Sequence, residues 1–314
     1  IRKKERGYLP LHKYWPINKC GMSGVVPNCL VHVEQTGYLD IEGMVDNYSI
    51  TEILKASLHG VEEMLADVMK IEEETGQQAS IIYVTDVEEV EYSKKLFDDT
   101  LRTMHAISHF MADHYVELFS SIVVVNAPAW VNILWKMVKP MLPERTRIKV
   151  RLLSSSNWRE EIHSLVDPSI CPTFWNNEEH KEFKLHLDRP LKMPRLQIKD
   201  LPENSDKLIV KAGQEHWIDY NLETGDTLSF NFTGNMSFGF TIVLAEDENE
   251  NDALSMRQIY PLISGLPGPL KVPIEDSIVA PETGLYKVWF SNSKAWWSSL
   301  TIHHIFKITK HLSK

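Results

Sequence analysis

The chain has 314 residues, 43% of them hydrophobic and 24% charged, and a formal net charge of −10. Such a composition belongs to a folded protein with room for two domains of ordinary size, and it excludes a disordered one. The acidic balance argues against a general nucleic-acid binder, which would carry a basic field.

The start, Ile1-Arg2-Lys3-Lys4-Glu5-Arg6, has no apolar core behind it, so no signal peptide is expected there. Because the chain opens on Ile1 rather than Met, a preceding segment is expected. No stretch reaches the roughly 18–20 apolar residues that cross a bilayer. Cys20, Cys29 and Cys171 are odd in number and lack CxxC spacing. Neither a disulfide framework nor a zinc site is expected, and a reducing, cytoplasmic setting fits.

Along the first part, strand and helix signals alternate. Leu30–Val33 reads as a short strand, followed by turn punctuation at Gly37, Asp40 and Gly43. Ser49–Glu74 reads as a helix whose Ile53, Leu54, Leu58, Val61, Met64, Leu65, Val68 and Ile71 trace one face; Gly76 ends it. Ile81–Val84 is a second strand, Ser93–His114 a second helix. Ile122–Val125, four β-branched residues in a row, reads as a strand buried on both faces. Asn126-Ala127-Pro128 stops it, and Pro128 suits a helix's first turn. The helix that follows is apolar on nearly every side, broken only by Asn132, Lys136 and Lys139. Lys149–Leu153 is a further strand and Trp158–Val166 a further helix. This alternation implies an α/β layer with parallel pairing.

Prolines and charges then break the pattern, placing a linker over 186–206. Beyond it the apolar period becomes two: Leu228/Phe230/Phe232, Phe238/Phe240/Ile242/Leu244, Tyr286/Val288/Phe290 and Leu300/Ile302/His304/Phe306/Ile308. Turn signals separate these rows, and Glu246–Asp252 forms an acidic loop. This is an antiparallel β-sandwich. On its rows His304 reads as a satisfied core histidine.

Candidate chemistry is sparse. His105 and His109, four apart on a helix with His114 after them, have zinc-compatible spacing but lack the general-base Glu of HExxH, so no metal is expected. No GxSxG, P-loop or GxGxxG is present. The pattern favours binding over turnover: no catalytic residue and no cofactor is expected. Trp130, Trp135, Met137 and Met141 can line a lipid pocket or fill core, and spacing alone favours core. Lys136, Lys139, Arg145, Arg147, Lys149, Arg151 and Arg159 face only Glu144 until Glu160. That basic run can meet anionic headgroups or be a solvated face. Trp296-Trp297 can pack between strands or supply a protein-docking surface.

Val123-Val-Val-Asn126-Ala-Pro128, with Lys139-Pro140-Met-Leu142 and Thr146 downstream and Gly37-Tyr-Leu-Asp40-Ile-Glu-Gly43 upstream, resembles the CRAL-TRIO lipid-binding domain. Val210-Lys-Ala212-Gly213, Gly225-Asp-Thr-Leu-Ser-Phe230, Phe238-Gly239-Phe240, Pro281-x-x-Gly284-x-Tyr286 and Phe290-Ser-Asn292-Ser293 resemble a GOLD domain. Their order is similar to the tocopherol-associated, supernatant-protein-factor-like group. The resemblance implies residues 1–185 as a CRAL-TRIO domain, its preceding helical lobe largely missing from the sequence, and 207–312 as a jelly-roll-like GOLD sandwich.

It further implies a mostly parallel sheet floor under covering helices and a mobile gate helix. The acyl pocket and gate would comprise Trp130, Ile133, Leu134, Trp135, Met137, Val138 and Met141, and the membrane-facing cations would be Lys136, Lys139, Arg145 and Arg147. Glu117 and Lys149 match the inositol headgroup site of the phosphatidylinositol-transfer branch. Their bland alternative is a surface ion pair worth about 0–1 kcal/mol. Three departures stand out. Asp86-Val-Glu-Glu-Val90 lacks the family's glycine. Ile81 and Tyr83 replace a Ser/Thr pair that holds choline, which argues against phosphatidylcholine exchange. Asn176-Asn177 replace Gly-Gly, asparagine being the residue that best tolerates left-handed backbone after glycine.

The expected function is non-catalytic binding and transfer of a lipid, phosphatidylinositol or a phosphoinositide, with transient membrane contact. Two alternatives remain open. One is a trafficking adaptor, peripheral on Golgi or other internal membranes, that acts through the GOLD domain with a vestigial pocket. The other is a carrier of tocopherol, squalene or a retinoid.

Overall fold

The computed structural model describes residues 10–15, 17–91, 115, 117–153, 156–194, 204–266 and 268–311. The expected helix over Ser93–His114 lies outside them. Two compact units divide the chain: Ile1–Ile41 with Lys55–Met193, and Glu42–Leu54 with Pro194–Lys314. The assignment of Glu42–Leu54 to the second unit has no counterpart in the linear sequence pattern.

In the first unit, β1 (Ile17–Met22), β2 (Cys29–Glu34), β3 (Ser80–Asp86), β4 (Phe119–Val125) and β5 (Val150–Leu152) form one sheet in sequence order. The pairs from β2 to β5 are parallel, and β1 adds an antiparallel edge to β2. Sequence reading missed β1 because Ile17-Asn-Lys-Cys-Gly-Met22 has no apolar run, and a register shift between Lys19 and Gly21 breaks its period.

Two helices precede β3, α1 (Ile41–Asn47) and α2 (Ile50–Thr75). A reciprocal cap opens α2: the Ser49 amide donates to Glu52 Oε2 at 2.8 Å and the Glu52 amide to Ser49 Oγ at 3.3 Å. Gly76, at φ 67°, ends the helix. From Val61 onward α2 lays Met64 and Val68 against Leu30 and Ile81 of the sheet.

The β4 run is not buried on both faces, as its four β-branched residues imply. Val123 and Val125 are fully buried, whereas Ile122 and Val124 are only half-buried. The difference follows from what covers each side. Under one face Val31, Val33, Ile82, Val84, Val123 and Val125 pack on Trp158, Ile162, Trp175 and Phe183. On the other, the Leu30–Ile81 cluster against α2 covers the amino-end row of the strands.

After β4 come α3 (Ala129–Val138), a 3-10 turn at Lys139–Met141 and the short α4 (Glu144–Arg147). The next helix, α5 (Trp158–Ile162), stops four residues before the expected Val166. Its continuation is captured by the β1–β2 loop. Ser23 Oγ donates to the Leu165 carbonyl at 2.6 Å, and the Asp167 amide donates to the Ser23 carbonyl at 2.8 Å.

The second unit is an antiparallel sandwich of two four-stranded sheets. One has the order β10 (Arg257–Leu266), β9 (Phe238–Ala245), β12 (Gly284–Ser291), β7 (Glu215–Leu222). The other has the order β11 (Ile274–Val279), β8 (Thr227–Gly234), β13 (Leu300–Thr309), β6 (Asp206–Val210). Phe230, Phe232, Phe238, Phe240, Tyr286 and Phe290 fill the core, with Phe232 and Phe240 centroids 4.6 Å apart. The acidic loop is pinned from beneath by the buried Lys287, whose Nζ donates to the carbonyls of Glu248 and Glu250 at 2.9 and 2.8 Å. His304 departs from expectation: its Nδ1 is buried with no hydrogen-bond partner, and burial lowers its pKa.

Candidate functional site

The half-buried side of the first sheet is laid out by strand register. One row is His32, Tyr83, Ile122 and Val150; the next is Glu34, Thr85, Val124 and Leu152. All but His32 are half-buried. Toward β5 the rows are aliphatic, and toward β2 they are polar. Glu34 organises the polar side, accepting from Tyr83 Oη at 2.7 Å and from Trp15 Nε1 at 2.8 Å. Sequence reasoning missed Glu34. Its signal is a carboxylate closing the apolar run Leu30–Val33, two positions from His32 and on the same face.

At the carboxyl ends of the strands stands Asp86, 1% exposed. Its Oδ1 accepts from Asn126 Nδ2 at 2.8 Å and from the Glu88 amide at 3.0 Å, and its Oδ2 from Trp175 Nε1 at 2.7 Å. Burial raises its pKa, against the pull of those three donors. Asn126 takes φ 55°, which its residue type tolerates, and so turns the chain from β4 toward α3.

The segment without the family's glycine carries Glu89 at φ 66°, an exposed side chain on left-handed backbone. Glu89→Gly is expected to raise stability by about 1 kcal/mol, because left-handed geometry costs a side chain about that much. Urea unfolding checks it: the midpoint should rise without a change in slope.

Beside this turn, Arg189 lies 4.1 and 3.8 Å from the ring centroids of Tyr38 and Phe174. It donates to Glu88 Oε2 and Gln35 Oε1, each at 3.0 Å. Asn176 (φ −65°) and Asn177 do not use left-handed backbone. Asn176 instead brackets Phe183, donating to its carbonyl at 2.9 Å and accepting from its amide at 3.1 Å.

The structure brings Glu117 and Lys149 together at the amino ends of β4 and β5, with Lys149 Nζ 3.6 Å from Glu117 Oε2. Lys149 is mostly covered and Glu117 mostly exposed. Along α3 only Val138 is buried; Trp130, Leu134 and Trp135 are half-buried. Ile133 and Met137, one turn apart, are 60% and 48% exposed. The reading of this helix as core therefore fails along its Ile133–Met137 stripe. Lys136, Lys139 and Arg145 are exposed, and Arg147 pairs with Glu144 at 3.8 Å. The side chain of Met141 and the histidines 105, 109 and 114 lie outside the described residues.

Among the described residues, no three His, Cys, Asp or Glu side chains gather to hold a metal, and no helix is long and apolar enough to cross a membrane. All three cysteines are free thiols. Burial pushes Cys20 up to about 12 and raises Cys171 as well. Such thiols stay protonated and are poor nucleophiles.

Residues 27–176 match the CRAL/TRIO domain family. Residues 195–314 match the family described as "F28H7_8_C:-like, C-terminal domain". The chain is 25% identical over 232 residues to the CRAL-TRIO domain-containing protein F28H7.8 of Caenorhabditis elegans, covering 71% of this chain and 55% of that protein. It is 23% identical over 149 residues to the phosphatidylinositol/phosphatidylcholine transfer protein SFH9 of Arabidopsis thaliana, covering 46% of this chain and 25% of that protein. The chain thus spans about half or less of the length of these relatives. The crystal structure of Sfh5 aligns with a TM-score of 0.45 at 17% identity, over 61% of this chain and 63% of that one. The CRAL/TRIO match takes in β2 to β5 of the first unit's sheet.

Proposed function

We propose that the chain binds a single lipid over the half-buried rows of the first sheet and carries it between membranes, holding an inositol headgroup with Glu117 and Lys149. The observation that supports this most directly is the contrast between the two sheet faces. One is packed solid with aromatic and aliphatic side chains; the other keeps Ile122, Val124, Val150 and Leu152 only partly covered. An aliphatic floor left half-buried suits acyl chains better than water.

The exposed Ile133 and Met137 beside Lys136 and Lys139 suit a gate that meets a bilayer, apolar side chains entering and cations meeting headgroups. At the strand ends, a carboxylate accepts from inositol hydroxyls while an ammonium balances phosphate. The SFH9 relative is named for both phosphatidylinositol and phosphatidylcholine, so its name supports a phospholipid cargo that includes the inositol lipid. Tyr83, bonded to Glu34, stands where a choline-holding residue is expected, which favours inositol over choline.

Lys149→Ala tests the headgroup assignment. Loading with phosphatidylinositol is expected to fall about tenfold or more, since a charge-assisted hydrogen bond contributes about 1.5–3 kcal/mol. Folding should be spared, because the carboxylate left behind, Glu117, is mostly in water. Equal loading of variant and wild type would remove the assignment. The resemblance of the second unit to a GOLD domain would add a protein- or Golgi-directed role, and a cargo of tocopherol, squalene or retinoid would keep the carrier and change its ligand.

A further inference from the structure

The tryptophans of the β12–β13 loop do not pack between strands: Trp296 and Trp297 are 85% and 93% exposed. They are not held there loosely. Asn292, buried at the loop's first stem, donates from Nδ2 to the Val210 carbonyl at 3.0 Å and across the loop to the Ser298 carbonyl at 2.9 Å. Its backbone amide donates to Gln214 at 2.9 Å, and the Ala295 amide closes a turn on the Asn292 carbonyl at 3.1 Å. The loop is thereby tied at both ends, and two large aromatic rings are presented to solvent from a fixed base.

Their surroundings differ from those of a protein-binding hot spot, in which aromatic anchors are ringed by further contact residues that exclude water. Here the neighbours Ser293, Lys294, Ser298 and Ser299 are small or cationic, and all are exposed. From Thr283 to Lys314 the sequence has no Asp or Glu, but five lysines, in a chain of net charge −10. Two of those lysines are engaged, Lys287 with the acidic loop and Lys310 with Asp226 at 2.8 Å. Lys294 stands two residues before the tryptophans. A small cavity of about 170 Å³ lies under the same loop, lined in part by Ser237, Ser264, Asn292 and Lys294. Asn292 Oδ1 is buried without a hydrogen-bond partner.

Indole rings prefer the boundary between headgroups and acyl chains, where the ring is desolvated and the N–H remains hydrogen-bonded. One carboxylate stands at the foot of the loop, Glu215, and it accepts from Trp289 Nε1 at 3.0 Å and Ser291 Oγ at 3.2 Å, while Lys294, two residues before the tryptophans, can attract an anionic leaflet. We propose that the β12–β13 loop is a membrane-docking element that inserts Trp296 and Trp297 into the interface of an anionic bilayer. It rests on the carrier reading only in that a carrier must meet a membrane, and it holds for any cargo.

The test uses the full chain with phosphatidylcholine vesicles, with and without phosphatidylserine. Wild type should bind, its tryptophan emission should shift to the blue, and brominated acyl chains should quench it. Trp296→Ser/Trp297→Ser should bind at least about tenfold more weakly, given the apolar area each ring loses from water. Lys294→Glu should weaken binding only where phosphatidylserine is present. Lipid content of each purified protein is measured in parallel. Normal lipid content in a double variant that no longer binds vesicles supports docking as a separate function. Vesicle binding by a wild type that carries no lipid and takes none up from phosphatidylinositol vesicles overturns the carrier and keeps the docking element. Undiminished binding by the double variant overturns the docking element, as does a tryptophan pair that engages a soluble glycan or protein while ignoring vesicles.

Discussion

Asp86→Ala is expected to lower unfolding free energy by about 3 kcal/mol, because truncation strands three donors that the fold aims at one carboxylate. Those donors come from three places in the chain: the β3–β4 turn at Glu88, the β4–α3 turn at Asn126, and Trp175. Trp175 is 1% exposed and sits at the centre of the packed face, edge-on to Trp158 and Phe183. Its indole N–H would have neither partner nor water. The variant should therefore lose both stability and the geometry that sends α3 away from β4. Guanidine unfolding reads the first effect.

The pH dependence carries a definite sign. Burial raises the folded pKa of Asp86 above the ordinary 3.8, so the folded state binds its proton more tightly than the unfolded state. The stability this group contributes is thus greatest at low pH and falls as pH rises from 3.8 to the raised folded value. Asp86→Asn keeps acceptors for Asn126 and Glu88 but offers no second acceptor to Trp175, and it does not titrate. Its deficit relative to wild type should shrink as pH rises through that window and then stay constant. A deficit that grows with pH would contradict this account of the carboxylate.

Gly37→Ala should be comparably damaging for a different reason. A β-carbon on Gly37 would fall on the Glu88 carbonyl oxygen, where nothing fits unless backbone moves. The neighbouring chain has little freedom to move: the Glu88 amide is held by Asp86, and the Glu88 carboxylate by Arg189. We expect a loss of about 3 kcal/mol, the upper part of the range for overpacking a fixed site. Gly76→Ala is the control, since nothing lies within 4 Å of its added carbon and only its φ of 67° opposes it. Thermal unfolding should rank Gly37→Ala well below Gly76→Ala. The reverse order would mean that the contact between the 37 and 88 segments is not as tight as it stands here.

What the sequence reveals about this protein is what local pattern controls. Ile122–Val125 followed by Asn126-Ala-Pro128 marks a strand, its stop and a helix start, and all three are present, whereas the left-handed backbone of Asn126 is seen only in the structure. The alternating aromatic rows of the second unit mark its sandwich for the same reason, a period of two. The family resemblance, not a local pattern, singles out Glu117 and Lys149, which stand just before the adjacent parallel strands β4 and β5 and lie 3.6 Å apart. Features made by distant residues are not legible. Asp86 and Trp175 are 89 positions apart, Ser23 and Leu165 are 142 apart, and no spacing rule connects them. The half-buried face of β4 is hidden for a related reason: four β-branched residues look alike in sequence, and only the covering layers distinguish Ile122 from Val123. Asn176-Asn177 show the opposite error, a residue type read for its backbone tolerance but used for its side-chain amide.

On the proposed function, the half-buried rows of the first sheet hold a lipid. Native mass spectrometry of the purified full chain, followed by denaturation and identification of what is released, tests it most directly. The expected result is a complex heavier than the bare chain by one lipid, an inositol phospholipid, whose abundance falls in Lys149→Ala. A bare chain in every preparation, unchanged after incubation with phosphatidylinositol vesicles, would contradict it.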